Sequence, residues 1–471
     1  MNDVLRYLEA HRDQLTEDLK ALLRIPSISA KPEHKGDVRR CAEAIAAMLR
    51  EVGMSRVDVV DTHGHPIVYA EWLGAAGRPT ALVYGHYDVQ PPEPLELWTS
   101  PPFEPTIRDG NLYARGAVDD KGQTFMHVAA LRAFRAVRGE FPINLKFVIE
   151  GEEEAGSESL GPFLRQHRAQ LDADVIVVSD TGMAGPDQPA LTYALRGILY
   201  TQIEVQGPAH DLHSGHFGGA VANPANALAA IITALKDGDG RITVPGFYDK
   251  VRAIPKAERE ALNAAGRQER AFIAEAGSPF AWGEKGWTTA ERVSIRPTLD
   301  VNGIWGGYQG EGSKTVLPAK AGAKVSMRLV PDQDPLELFQ QFEAYVKKVC
   351  PPGVTVRVEN LHHGAPFLTD PNHPALEAAR RALEQAWGRK PVMLREGGSI
   401  PVMTTFQQTH PGVPNILMGF GLDDDNVHAP NEKFTLRCFH VGAQSVALLY
   451  DELAQGVREA NPAPAGGARG R

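Results

Sequence analysis

Four short apolar runs in this 471-residue chain end in the same way. TALVYGH (80–86) closes on His86 and is followed by Asp88. LKFVIEG (145–151) runs into Glu152, Glu153 and Glu154. DVIVVSD (174–180) closes on Asp180, and NILMGFG (415–421) leads to Asp423, Asp424, Asp425 and then His428. Apolar runs of this length read as buried strands. The helical stretches expected near 122–137 and 157–169 place them in an α/β layer with a largely parallel sheet. Ligands bind such a sheet at the carboxyl edge of its strands. Four strands thus deliver histidine or carboxylate to that edge. A fifth acidic pair, Asp119-Asp120, follows the turn ARGAV and precedes a helix start at Lys121-Gly122.

Each of these features alone has an ordinary structural explanation. A histidine at a strand end usually belongs to the core or the surface, Glu152–Glu154 suits the positive end of a helix dipole, and Asp119-Asp120 suits a helix cap. Their coincidence in five places is a different matter. Carboxylates gathered on one edge repel one another unless a positive charge neutralises them or their pKa values rise. Two imidazoles and three carboxylates suit a pair of zinc ions with one carboxylate shared between them. In such sites the ions stand about 3.5–4 Å apart and hold a nucleophilic hydroxide. Asp88, two residues beyond His86, has the position of an acid that orients a ligand histidine or its loop.

Length alone predicts two domains. Near residue 190 the pattern changes. YTQIEVQG (200–207), AKVSMRLV (323–330) and VTVRVENL (354–361) alternate polar and apolar residues, as half-exposed strands do, with helices expected near 222–236 and 335–348. We expect a catalytic metal-binding domain over 1–188 and 366–471, interrupted by an α+β domain over 189–365. The catalytic domain should also hold helices over 3–24, 37–52, 374–387 and 439–456, and strand 67–73. The stretch 245–300, irregular and rich in charge and glycine, is expected to be helical in part without a placed element, and the tail NPAPAGGARGR is expected to be disordered.

The formal net charge of −9 argues against nucleic acid as a partner. No apolar run suits a membrane span, and the charged start MNDVLRYLEAHRDQL lacks the apolar segment of a signal peptide. Cys41, Cys350 and Cys438 are widely spaced with no CxxC, which favours a reduced compartment, so a cytoplasmic location is expected.

From GHYDVQPPEPLELWTSPPFEPTIRDGNLYARGAVDDKGQ (85–123) onward the chain resembles a known family, the co-catalytic zinc metallopeptidases that include carnosinase-type dipeptidases, aminoacylase, glutamate carboxypeptidase and succinyl-diaminopimelate desuccinylase. EGEEEAGSESL (150–160), VVSDTG (177–182), DLHSGHFGG (211–219), KTVLPAKA (314–321), REGGSIP (395–401) and DNVHAPNE (425–432) carry the resemblance over about 5–455. LWTSPPFEP and REGGSIP resemble most the cytosolic non-specific dipeptidase branch.

The resemblance implies a zinc-peptidase-like catalytic domain and an inserted lid and dimerisation domain. It implies that His86 and Asp180 hold one cation, that Glu154 and His428 hold the other, and that Asp119 bridges both, with a cis peptide to Asp120. Zinc is expected, with manganese or cobalt as alternatives. Glu153 becomes the general base and acid, and Asp88 the orienting acid. His213 becomes an oxyanion donor supplied by the partner subunit of a homodimer; His216 has no comparable support and is expected to be structural. Arg328, Thr315, His363 and Ser399 become substrate contacts, and Glu396 the receiver of a free amino group. The expected activity is hydrolysis of dipeptides or short peptides by a metal-bridged hydroxide. The alternatives are deacylation of N-acyl amino acids and, from another class, a non-catalytic binding protein on the same scaffold.

Overall fold

The computed structural model describes residues 1–265, 268–398 and 400–456, and of Pro401 the backbone only. The chain forms two compact units. Of the described residues, the first comprises those within 1–193, 369–394 and 405–456, and the second those within 194–368 and 395–404.

A twisted sheet lies at the heart of the first unit. Its strands run in the order Arg56–Val60, Ile67–Trp72, Asn144–Glu150, Thr80–His86, Val175–Val178, Asn415–Leu417 and Ala190–Leu195. Thr80–His86 is parallel to both Asn144–Glu150 and Val175–Val178, and Asn415–Leu417 is parallel to Val175–Val178. The outer pairings are antiparallel. The sheet is therefore mixed, with parallel pairing confined to its centre, a narrower parallel region than the sequence suggested. The centre is nonetheless where both faces are covered: Ala81, Leu82, Val148, Val175, Ile176 and Val177 are fully buried. Side chains aimed at both faces of a parallel core must be apolar, which is why these strands lack polar alternation.

Helices Lys121–Arg138 and Leu436–Gly456 pack on one another and bury long apolar faces, including Phe125, Phe134, Phe439 and Tyr450. Gly139 ends the first of them in a left-handed conformation (φ 75°), a geometry that costs glycine nothing. Helix Pro374–Trp387 has Pro374 in its first turn, His373 capping the Ala375 N–H, and Gly388 in the left-handed region at its end. The expected helix over 3–24 is instead two, Asn2–Ala10 and Arg12–Leu23, parted at His11. His11 stacks on Tyr7 and its Nδ1 lies 2.8 Å from the Tyr7 carbonyl, so the break is held by a local contact that apolar spacing does not reveal. The strand expected over 415–421 ends at Leu417. Beyond it the backbone runs too close to Thr181 for a side chain; a Cβ on Gly419 would meet the Thr181 oxygen at 1.9 Å.

The second unit holds a four-stranded antiparallel sheet in the order Thr298–Gly306, Lys320–Leu329, Gly197–Gln206 and Thr355–Gly364. One face is covered by helices Pro224–Ala234 and Pro335–Val349 around Leu199, Ile203, Ile231, Val325, Met327 and Phe342. Asn223 and Asp334 cap the two helices through Ala225 N–H and through Leu336 and Glu337 N–H, each followed by proline in the first turn. The unplaced stretch 245–300 contributes helices Lys256–Ala265, Glu269–Glu275 and Thr289–Ser294 and the start of strand Thr298–Gly306. Residues 395–404, expected in the catalytic domain, group with this second unit: the Arg395 guanidinium pairs with Glu258, and the Arg196 N–H donates to the Glu396 carbonyl at 3.2 Å. Among the described residues no helix is long and apolar enough to cross a membrane.

Candidate metal centre

His86 is the last residue of its strand, and it is fully buried. Its Nδ1 lies 3.2 Å from the Asp88 carbonyl oxygen and 3.4 Å from Asp88 Oδ1. With that nitrogen engaged as a donor, Nε2 is left to face Asp119 Oδ1 at 3.1 Å and Asp180 Oδ2 at 3.9 Å. Asp88, also fully buried, accepts from the Glu153 and Glu154 N–H groups at 3.2 and 3.0 Å, one on each oxygen. One carboxylate thus contacts both the His86 ring and the turn that carries the next two acids.

Asp119 sits ahead of helix Lys121–Arg138, and its peptide to Asp120 is cis. Its two oxygens face different histidines: Oδ1 faces His86, and Oδ2 lies 2.9 Å from His428 Nε2. His428 Nε2 is also 3.2 Å from Glu154 Oε2, which in turn accepts from Gln90 Nε2 at 2.8 Å. Two groups of donors result, His86–Asp119–Asp180 and Asp119–Glu154–His428, with the ligand atoms of each group within 4.8 Å of one another. His428 adopts φ 61° in a turn anchored by Asp425, which accepts from Leu422 N–H and pairs with Lys433 at 2.9 Å. Asp120 is turned away; it accepts from His86 N–H and from Thr124 Oγ1, and its Oδ1 has no hydrogen-bond partner among the described residues.

Charge is poorly balanced across these groups. Hydrogen bonds to Asp119 and Glu154 hold the His428 imidazole up to about 10. Burial opposes protonation of His86, yet its contacts with Asp119 and Asp88 keep it well above the usual imidazole range. Asp119, although buried, is held low by the two histidines. Burial drives Asp180 well up, with Asp120 adding to it. Glu153 is raised to about 7, first by burial and then by Glu154, Asp119 and Asp88, with His86 opposing. In the bare protein, protonated imidazoles thus stand in for positive charge that a cation would supply more strongly. The fit to metal is good: nitrogen and oxygen donors in two groups, one carboxylate offering an oxygen to each, and buried acids short of counter-charge.

His213, Thr315, Arg328, His363 and Glu396 lie in the second unit. Leu212–His213 pairs with Val316–Leu317, and Ser214 N–H donates to the Thr315 carbonyl at 3.1 Å, so His213 and Thr315 are neighbours. His213 is exposed, accepts from Gly215 N–H at 3.0 Å and stacks on His216 at 4.5 Å. Arg328 and His363 flank the same end of strand Gly197–Gln206, opposite Ile198 and Leu199. Glu396 ends strand Val392–Glu396. Ser399 lies outside the described residues. The supporting side chains Gln90, Arg115 and Glu432 had no part in the sequence reading. All three stand inside stretches singled out as motifs, Gln90 and Arg115 in 85–123 and Glu432 in 425–432, yet nothing in their spacing marks them.

Comparison with known proteins places this arrangement. The chain is 32% identical to Cys-Gly metallodipeptidase dug1 of Schizosaccharomyces pombe, over 96% of this chain and 98% of that protein. It is 31% identical to human Beta-Ala-His dipeptidase, over 97% and 93%. The crystal structure of human carnosine dipeptidase 1 superposes with a TM-score of 0.77 at 30% identity, covering 96% of this chain and 98% of that one. That of the M20 family metallo-carboxypeptidase Sso-CP2 from Sulfolobus solfataricus gives 0.79 at 29%, covering 93% and 99%. The model of Peptidase family M20/M25/M40 matches residues 82–452. On these grounds the chain belongs to Peptidase family M20/M25/M40.

Proposed function

We propose that this protein is a dipeptidase that works with two divalent cations, one in each donor group. The observation that carries the reading is the shared Asp119, whose two oxygens face His86 and His428 separately beside Glu153. Cations held there supply a nucleophile at neutral pH and electrophilic stabilisation of the attacked carbonyl. Glu153 takes the proton of the attacking water and passes it to the amide nitrogen as the C–N bond breaks. Asp88 keeps the His86 ring and the Glu153–Glu154 turn in register throughout. Zinc is the expected metal, with manganese and cobalt as alternatives.

His213 is the donor we assign to the tetrahedral oxyanion, contributed by a second copy of the chain, with 189–365 serving as lid and dimer surface and the rest as the catalytic domain. Arg328, with Thr315, His363 and Ser399, is assigned to the substrate carboxylate and Glu396 to its amino group. A cytoplasmic location is supported by the free thiols of Cys41, Cys350 and Cys438.

The decisive assay compares dipeptides such as Cys-Gly and β-Ala-His with N-acetyl amino acids on protein of measured metal content. Dipeptides should be the better substrates; equal or faster turnover of the acetyl compounds would move the assignment to a deacylase. Glu153→Ala should lose about 10²–10⁴-fold in kcat while keeping its metal. Turnover as in the parent would remove Glu153 from its role, and absence of hydrolysis in the metal-loaded parent would favour a binding protein.

A further inference from the structure

Glu432 is fully buried four residues beyond His428. Its carboxylate accepts four hydrogen bonds, all from the segment that ends in Asp119. Oε2 takes Arg115 Nη1 at 2.7 Å and Gly116 N–H at 3.0 Å; Oε1 takes Val118 N–H at 3.1 Å and Asp119 N–H at 3.2 Å. Arg115, itself 1% exposed, also donates to the Pro91 carbonyl at 3.4 Å and lies 5.5 Å over the Trp98 ring. Pro91 follows Gln90, the donor to Glu154. The neighbouring Asn431 continues the same tie, accepting from Thr99 N–H at 2.8 Å and donating to the Leu97 carbonyl at 2.7 Å.

Three segments that carry or brace metal-facing residues therefore converge on one ion pair: 90–99 with Gln90, 115–119 with Asp119, and 428–432 with His428. A buried carboxylate with four donors is held in one place, because moving it would give up four hydrogen bonds, one of them charge-assisted. The two oxygens are used differently. One neutralises Arg115, and the other fixes the backbone from which the Asp119 side chain departs. Neither oxygen points to a donor group of the metal centre, so Glu432 acts through other residues.

We infer that Glu432, paired with Arg115, is a positioning residue that sets the shared carboxylate Asp119 against His428, and so sets the affinity of the protein for its second cation. The inference rests on the reading of Asp119 as the shared ligand. Residues that orient ligands from behind typically govern metal affinity by about 10–100-fold.

The test is a direct measurement of metal binding to full-length protein stripped of metal, using zinc or manganese in competition with a chromophoric chelator. The parent should bind two equivalents. Glu432→Gln retains the size of the side chain but turns an NH2 group toward two of the four donors. It should bind its second equivalent at least about 10-fold more weakly. Its lost kcat should return as free metal is raised, with KM for dipeptide within a factor of about 2 at saturating metal. A fold-only role would lower the melting temperature and leave both binding constants alone. Should Glu432→Gln fail to fold, Glu432→Asp is read in the same way, since it keeps the charge beside Arg115 while its carboxylate falls about 1.5 Å short of Val118 and Asp119 N–H. Parental affinity for both equivalents in a cooperatively melting variant overturns the inference. Failure of the parent itself to bind two equivalents overturns instead the reading of Asp119 beneath it, and the inference with it.

Discussion

Asp119 is asked to do two things at once, and the hydrogen-bond geometry shows how. Its oxygens are committed to His86 and His428, so neither donor group is complete without it. Asp119→Ala should therefore weaken both cations together, whereas Asp180→Ala should weaken one. Metal titration by calorimetry separates the outcomes; a single weakened site in the Asp119 variant would contradict the shared-ligand geometry. The candidate donors at strand ends, such as His86 and Asp180, could be grouped from the sequence because strand ends in an α/β sheet are fixed in space by the strands themselves. Gln90, Arg115 and Glu432 could not. Gln90 reaches the Glu154 carboxylate, and Arg115 and Glu432 reach each other and backbone groups, across more than 300 residues for Glu432 and Asp119, and no periodicity records such pairings.

At the scale of elements, agreement followed local chemistry. Helix Pro374–Trp387 matches its expected range because cap, proline and terminal glycine all stand in the sequence. Strand Ala190–Leu195 was missed, and the helices expected somewhere within 245–300 were not placed, for opposite reasons. The strand carries Thr192, Tyr193 and Ala194 in a fully buried setting, where the usual alternation is lost. The insert helices lean on charge: Thr288 and Glu291 form a capping box, Arg259 donates to Glu291, and the Trp287 ring lies 4.4 Å from the Arg259 and Arg296 guanidinium groups. Asp334 holds two N–H groups at the head of helix Pro335–Val349, so Asp334→Ala should cost about 1 kcal/mol of stability in urea melts. Helix Lys121–Arg138 carries another, pH-dependent feature. His127 is buried between Tyr450 Oη at 2.6 Å and Ser179 Oγ at 2.9 Å, and burial pushes its imidazole from 6.5 down to about 3. Over that window the unfolded chain takes up a proton that the folded chain refuses. Stability from this group is full above pH 6.5 and lost as pH falls toward 3, by up to about 1.4 kcal/mol per pH unit. His127→Gln should flatten that slope in acid-range melts; an unchanged slope would mean the ring protonates in place.

For the molecule as a whole, the sequence pattern changes near residue 190, and the structure groups 194–368 and 395–404 into a second unit. The return at 395–404 escaped notice because Glu258 and Arg196, its partners, are far back in the chain. Two scale-wide predictions follow from the proposed function. Bound metal should stabilise the first unit, by about 2.7 kcal/mol per site at a hundredfold excess over Kd. Thermal melts with and without chelator measure this, and equal midpoints would argue against cations held by these donor groups. The homodimer should persist at assay concentration in sedimentation runs, since an active monomer would exclude His213 acting from a second copy.

Chain order adds a last consequence to the two donor groups. His86, Asp119 and Asp180 all lie in the first 180 residues, whereas Glu154 waits for His428 at the far side of an inserted unit. During synthesis, one half of the centre exists on the growing polypeptide long before the other can close. On the proposed two-cation reading, a chain ending ahead of residue 428 would carry every donor of the first group but lack the histidine of the second.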